Sequence, residues 1–239
     1  MPPPDLFRYP VADNRGTADS GLSFSAIWFR KELMMWKKRQ NHFTCKTFRK
    51  PDAGKEGKNE YLLINGDEAA TIDVSASCDD VSEMLRQQRL TLKYLLVTHA
   101  HRSHLTALPE LRASFGAAFC ICRRDAGLLN TSGVSIEPDL FVQDKTRLAL
   151  GDGIIRVLHT PGHTPGSLCF FVKDMNVLFS GRTLEKGGYG TIWGPSSMAA
   201  MLSSLRRLNG NFCSAVVYPG RGESTTMRKE AWLDCLRSH

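Results

Sequence analysis

The chain has 239 residues, of which 42% are hydrophobic and 23% charged, and it carries a net charge of +7. That balance belongs to ordinary globular proteins and excludes a disordered chain. The positive charge favours anionic partners in general but does not identify nucleic acid, since no basic stripe with interleaved aromatics is present.

The start, Met1-Pro2-Pro3-Pro4-Asp5, lacks a basic segment followed by an apolar one, so a cytoplasmic location is expected. No apolar run approaches the roughly 20 residues that span a bilayer, and no membrane partner is expected. The seven cysteines are odd in number and form no C-x-x-C pair. They read as reduced, mostly buried thiols.

Residues 1 to 22 are rich in Pro, Asp, Gly and Ser and read as an extended arm. Residues 24–39 place apolar groups at helical spacing and end in Lys37-Lys38-Arg39, which suits a helix C-terminus. That helix would pack on the main domain or form a homodimer with a second copy, a helix lying on a membrane surface being the alternative. The division expected is an N-terminal arm and helix, 1–41, and a main domain, 42–239.

From residue 42 strands and helices alternate. A strand is predicted over 42–49 and a polar loop over 51–58. Short apolar runs at 61–64 and 69–74 flank Asn65-Gly66-Asp67, a hairpin signal. An acidic start marks a helix over 79–88, and the apolar run 92–97 reads as a buried strand. A helix over 105–114 and a strand over 117–122 follow, and 123–145 has no clear pattern. Strand pairs are predicted at 146–150 with 154–159 and at 167–172 with 176–179. A helix over 197–207, a strand over 215–218 and a last helix over 225–236 complete the reading. Strand pairs interrupted by helices in both halves imply sheets covered by helices.

Five of the seven histidines fall in two segments at strand ends. His99 and His101 leave the strand at 92–97, and two-residue spacing in such a turn lets both imidazoles converge on one ion. His163, in Thr160-Pro161-Gly162-His163-Thr164-Pro165-Gly166, is the candidate for a third nitrogen. Three imidazoles and one water form a zinc site with an open position.

These segments carry a family resemblance. Leu95-Leu96-Val97-Thr98-His99-Ala100-His101, then His159 to Ser167, then Leu178-Phe179-Ser180-Gly181-Arg182-Thr183-Leu184, then Val217-Tyr218-Pro219-Gly220-Arg221-Gly222 stand in order. Residues 59–226 resemble the metallo-β-lactamase superfamily, and most of all its small glyoxalase-II-type (hydroxyacylglutathione hydrolase-type) members. The resemblance implies an α/β protein of four layers, αββα, with a metal site at the sheet edges.

The departures from the family pattern bear on chemistry. The aspartate of H-x-H-x-D-H is Ser103 here, the bridging aspartate of S-G-D-T is Arg182, and the last histidine of P-G-H-G is Arg221. The first metal position keeps His99, His101 and His163, and the second keeps His104 alone. Arginine stays protonated and has no acceptor, so it ligates no metal. A cation roughly 5 Å from a divalent ion repels it by roughly 6 kcal/mol at an effective dielectric near 20. One zinc at most is therefore expected, with weak or lost thioester or ester hydrolysis.

Ser103 is a weak candidate for a catalytic role, because a hydroxyl is no base at pH 7 and as a nucleophile it needs an activating neighbour. Arg182 and Arg221 are expected to bind a small anion: a carboxylate, a phosphate or an anionic thioester. The alternative is a non-catalytic anion-binding or interaction protein on the same fold. A persulfide-dioxygenase centre needs a carboxylate where Arg182 stands. The nuclease branch needs an inserted domain for which the stretch between Arg182 and Arg221 has no room.

Overall fold

The computed structural model describes residues 42–52, 55–75 and 77–236. The predicted arm and helix of residues 1–41 lie outside the described residues. Two six-stranded sheets form the centre. The first holds β1 (Thr44–Asp52), β2 (Lys55–Asn65), β3 (Glu68–Ile72), β4 (Thr91–Leu96), β5 (Ala118–Cys122) and β6 (Leu140–Val142) in spatial order. The second holds β7 (Arg147–Leu150), β8 (Gly153–His159), β9 (Leu168–Val172), β10 (Val177–Gly181), β11 (Val216–Pro219) and β12 (Thr225–Thr226), again in order.

Antiparallel neighbours are joined by short turns, as at Asn65↔Glu68 and Leu150↔Gly153. Parallel neighbours need crossovers. Helix α1 (Cys78–Gln87) joins β3 to β4, α2 (Leu108–Phe115) joins β4 to β5, and α3 (Ala126–Thr131) lies between β5 and β6. Helix α4 (Pro195–Asn211) carries the chain from β10 to its parallel neighbour β11.

Strand alternation sorts the apolar residues into three cores. Leu62, Ile64, Leu95 and Phe119 face outward from the first sheet onto Val81 and Leu85 of α1 and Leu108 and Leu111 of α2. Their neighbours Tyr61, Leu63, Leu96 and Cys120 face Val157, Phe170 and Phe179 of the second sheet. Leu158, Cys169, Phe171 and Leu178 turn the other way, onto Met201, Leu205 and Leu208 of α4. The layering is therefore α, β, β, α, as expected from the sequence.

Two local readings are corrected. Residues 51–58 are not a loop: β1 runs to Asp52 and β2 begins at Lys55, with Asp52 paired to Lys55. A polar composition does not preclude a strand, because an antiparallel ribbon satisfies its backbone groups whatever its side chains. Residues 225–236 do not form one helix. Thr225 pairs with Val217 in the sheet, and two 3₁₀ turns, Met227–Lys229 and Ala231–Leu236, follow. The buried Glu230 enforces the break. Its carboxylate accepts the Thr225 hydroxyl at 2.6 Å, the Gly187 N–H at 2.8 Å and the Trp232 indole N–H at 2.8 Å. The stretch 123–145 resolves into a 3₁₀ turn at Arg123–Asp125, then α3 and β6. Among the described residues no helix is long and apolar enough to cross a membrane.

Candidate metal centre

The site is built where β4 and β8 end. Past β4 the chain leaves as Val97-Thr98-His99, and the neighbouring strand β3 ends at Ile72 just before Asp73. The buried Asp73 accepts the Thr98 N–H at 2.8 Å and the Thr98 hydroxyl at 2.6 Å. With its proton committed to Asp73, the Thr98 oxygen accepts His99 Nδ1–H at 2.9 Å. This relay fixes the His99 tautomer and leaves Nε2 bare, as a metal ligand requires. His101 precedes the 3₁₀ turn Arg102–His104, and its carbonyl accepts the His104 N–H at 2.8 Å.

His163 comes from the turn after β8. Gly162 makes that turn at φ 148°, and a Cβ there would lie 2.6 Å from Met201 Cβ of α4. No L side chain meets both conditions. His163 Nδ1 donates to the Thr191 carbonyl at 2.8 Å, so its Nε2 carries no proton and faces His101.

The three imidazoles converge. His99, His101 and His163 have ring centroids 4.7, 4.7 and 4.8 Å apart, with mutual tilts of 87°, 85° and 87°. Their candidate ligand atoms all lie within 4.8 Å of one another. His101 Nδ1 stands 3.2 Å from His163 Nε2. Two nitrogens on one tetrahedral zinc, each about 2.0–2.1 Å from the ion, are about 3.4 Å apart, so the residues fit one ion.

Electrostatics agree with neutral, ligand-ready rings. Burial holds the His99 imidazolium well below its ordinary range, reinforced by His104, His163, His101 and Arg182. His101 is lowered by burial, then by His104 and Arg182, against the opposing pull of Asp125. Burial pushes His163 down to about 4, despite the Thr191 hydrogen bond that raises it.

His104 packs against His99 but is not one of the three grouped ligand residues. Its ring lies 4.5 Å from that of His99. Its Nδ1 is buried without a hydrogen-bond partner and sits 4.0 Å from Asp73 Oδ1. Asp73, His99 and His104 form a second close group of ligand-type atoms. The Asp73 carboxylate is already engaged by Thr98, so this group is the poorer cradle.

All seven expected residues, His99, His101, Ser103, His104, His163, Arg182 and Arg221, line one cleft of about 500 Å³, together with Thr191 and Trp193. Arg182 follows β10 and pairs through Nη1 with Glu185. Part of the Arg182 charge expected to bind an anion is therefore met from within the protein. Glu185 lies three residues on, outside the compared motif. The Pro219-Gly220-Arg221 turn is fixed by Tyr61, whose hydroxyl donates to the Pro219 carbonyl at 2.6 Å, and by Asn59, whose side chain donates to Pro219 and Gly222 carbonyls at 2.9 and 2.8 Å. A larger cleft of about 690 Å³ lies beside Arg123, Arg124 and His159. It gathers no comparable trio of ligand nitrogens.

Two residues of the site escaped sequence reasoning. Asp73 braces His99 through Thr98. Asp125, fully buried, accepts the Ala100 N–H at 3.0 Å, the Thr164 hydroxyl at 2.8 Å and the Gly166 N–H at 2.6 Å. It ties the turn carrying His99 and His101 to the turn carrying His163. For Asp73 the sequence signal was an acid directly after the apolar run Ala69-Ala70-Thr71-Ile72; Asp125, preceded by Arg123-Arg124, had none of that kind.

Comparison with known proteins follows the same lines. Residues 53–220 match the family described as the metallo-beta-lactamase superfamily, and the chain belongs to that family. A probable metallo-hydrolase, YqgX, of Bacillus subtilis (strain 168) is 28% identical over 155 residues, covering 60% of this chain and 74% of the relative. A hydroxyacylglutathione hydrolase of Francisella tularensis subsp. novicida is 30% identical over 138 residues, covering 58% of this chain and 52% of the relative. The chain thus spans about half the length of that hydrolase. Among solved structures, TTHA1623 in a di-iron-bound form superposes with a TM-score of 0.62 at 27% identity, covering 76% of this chain and 96% of that one.

Proposed function

We propose that this chain is a hydrolase-like protein of glyoxalase-II type that holds at most one metal ion, zinc in the first instance. In this reading it acts weakly on a small anionic thioester or ester. The observation that carries the reading is the convergence of three imidazole rings whose candidate ligand atoms all lie within 4.8 Å of one another, His101 Nδ1 and His163 Nε2 being 3.2 Å apart. The likeness to hydroxyacylglutathione hydrolases supports the thioester class.

Bound there, a zinc ion would supply Lewis acidity toward a carbonyl oxygen and acidify a coordinated water. The protein's own groups do the rest. Thr98 and the Thr191 carbonyl hold the His99 and His163 rings in the tautomer that exposes Nε2. Arg182 and Arg221 place positive charge on the wall beside His104, which disfavours a second cation and draws the anionic end of a substrate. Ser103 supplies a hydroxyl where orientation of a nucleophile would need a carboxylate, so turnover is slow.

A second reading, a non-catalytic anion-binding protein, is supported by the two guanidinium groups, Arg182 and Arg221, that line the histidine cleft. Glu185 offsets part of the Arg182 charge from within the protein, so an incoming anion competes with it there. Elemental analysis of protein purified without added metal or chelator tests the metal count. One transition metal per chain or less is expected, and two tightly held ions overturn the reading. A standard thioester assay separates the two functions: slow, metal-dependent turnover supports the hydrolase, and none supports the binding protein. Rates of about 1–1000 per second, usual for enzymes, would contradict both.

A further inference from the structure

Trp193 stands at the mouth of the histidine cleft with 70% of its surface exposed, the highest value among the exposed large hydrophobic residues described. Among the described residues it makes no ring–ring or cation–ring contact. A bare indole on a loop is ordinary when the loop is loose, but this loop is pinned. The Gly190 N–H donates to the Arg182 carbonyl at 2.8 Å. A Cβ at Gly190 would lie 2.7 Å from Arg182 Cβ and 2.9 Å from Nε, so the backbone lies directly against the arginine stem. The next carbonyl, that of Thr191, is held by His163 Nδ1–H at 2.8 Å. One residue after Trp193, the Gly194 carbonyl accepts the Met198 N–H at 3.0 Å and opens α4. The backbone on both sides of the indole is thus fixed to Arg182, to His163 and to a seventeen-residue helix.

A fixed backbone leaves the indole two side-chain torsions, so ordering it against a ligand costs little entropy. The rest of the cleft is polar or cationic: His101, Ser103, Arg182 and Arg221. We infer that Trp193 is the platform on which the flat acyl portion of the substrate packs while Arg182 and Arg221 meet its negative charge. The ligand class is an aromatic carboxylate or the corresponding aryl-acyl ester or thioester carrying an anion. A cleft of about 500 Å³ holds a one- or two-ring acid. This inference rests on the anion-binding reading of the arginines and adds the nature of the uncharged part.

Titration calorimetry of the full chain with 2-naphthoate tests it, using wild type, Trp193→Ala, Trp193→Phe and Arg221→Ala. The exposed position of Trp193 means that its variants should keep the wild-type melting temperature, which is checked in parallel. Expected are a roughly tenfold weaker Kd in Trp193→Ala, near-wild-type affinity in Trp193→Phe, and a roughly tenfold loss in Arg221→Ala. If Trp193→Ala binds as wild type while Arg221→Ala is weakened, the platform is wrong and the anion reading stands. If Arg221→Ala binds as wild type, the anion reading fails and the inference falls with it. No binding of 2-naphthoate to wild type overturns the inference, and a parallel titration with inorganic phosphate and acetate then decides the anion reading: binding keeps it and no binding ends it.

Discussion

The carboxylate of Asp125 accepts the Gly166 N–H at 2.6 Å across 41 residues of chain. With Ala100 N–H and the Thr164 hydroxyl on its other oxygen, it joins the two turns that carry the three convergent histidines. Asp125→Ala would strand three donors at a fully buried position. A loss on the order of 3–5 kcal/mol is expected in chemical denaturation. Asp125→Asn keeps one acceptor oxygen and should cost roughly half as much. In both variants metal affinity should fall about 10- to 100-fold, the usual effect of removing a group that orients the ligands. Equal metal affinity in Asp125→Asn and wild type would remove Asp125 from the site.

Much of this was legible in the sequence because it is local. Tyr61-Leu62-Leu63-Ile64 alternates between two cores, and the histidines stand at fixed offsets from apolar strands. Asp125 was not legible, because its partners are backbone groups brought near only by the fold. Asp73 reaches Thr98 over 25 residues in the same way. The turn at Glu230 depends on Gly187, 43 residues away, so a helical pattern over 225–236 was outvoted by contacts no window contains. The Arg182–Glu185 pair was local and still missed. Glu185 lies one residue past the stretch Leu178 to Leu184 that carries the resemblance.

The depressed histidines give the metal-free protein a defined response to acid. His163 goes from 6.5 to about 4 on folding, mainly through burial. The unfolded chain therefore binds this proton more readily than the folded one. The resulting stability is complete above pH 6.5 and is lost as pH falls toward 4, a change on the order of 3 kcal/mol. His99 and His101 shift in the same direction. Chelator-treated wild type should melt at progressively lower temperature from pH 7 to pH 4. His163→Gln should show a shallower slope over that window, and parallel curves for the two proteins would contradict the assignment.

Thiol chemistry offers a check on the cores. Cys213 and Cys235 are exposed, Cys45 is half-buried, and Cys78, Cys120, Cys122 and Cys169 are buried. Burial pushes the thiols of Cys45 and Cys120 up to about 12 and those of Cys78 and Cys169 up to about 11. The thiolate is the reactive form. In native protein at pH 8, Cys213 and Cys235 should react rapidly with an aromatic disulfide reagent, and the other five only after unfolding. Mass mapping of early adducts to Cys120 or Cys169 would show that the inter-sheet or outer core opens.

Introducing ligand side chains at Ser103, Arg182 and Arg221 should change the metal count in a stepwise way. Arg182 and Arg221 stand on the wall that a second cation would occupy, and each repels it by several kcal/mol at close range. Removing one arginine alone leaves the other cation and supplies too few ligands. Replacing Arg182 with aspartate also sets a new carboxylate beside Glu185, whose present partner is Arg182. The combination expected to work is Ser103→Asp, Arg182→Asp and Arg221→His together with Glu185→Gln, which removes that like-charge pair. Elemental analysis should rise from one metal per chain or less toward two in the fourfold variant and stay at one or below in each single variant. Thioester turnover should rise in step with the second metal. A fourfold variant that folds but holds no more metal than wild type would mean that the ligand positions are not aligned for a second ion. The low metal count would then have to be traced to the path of the backbone around His104 and not to Ser103, Arg182 and Arg221.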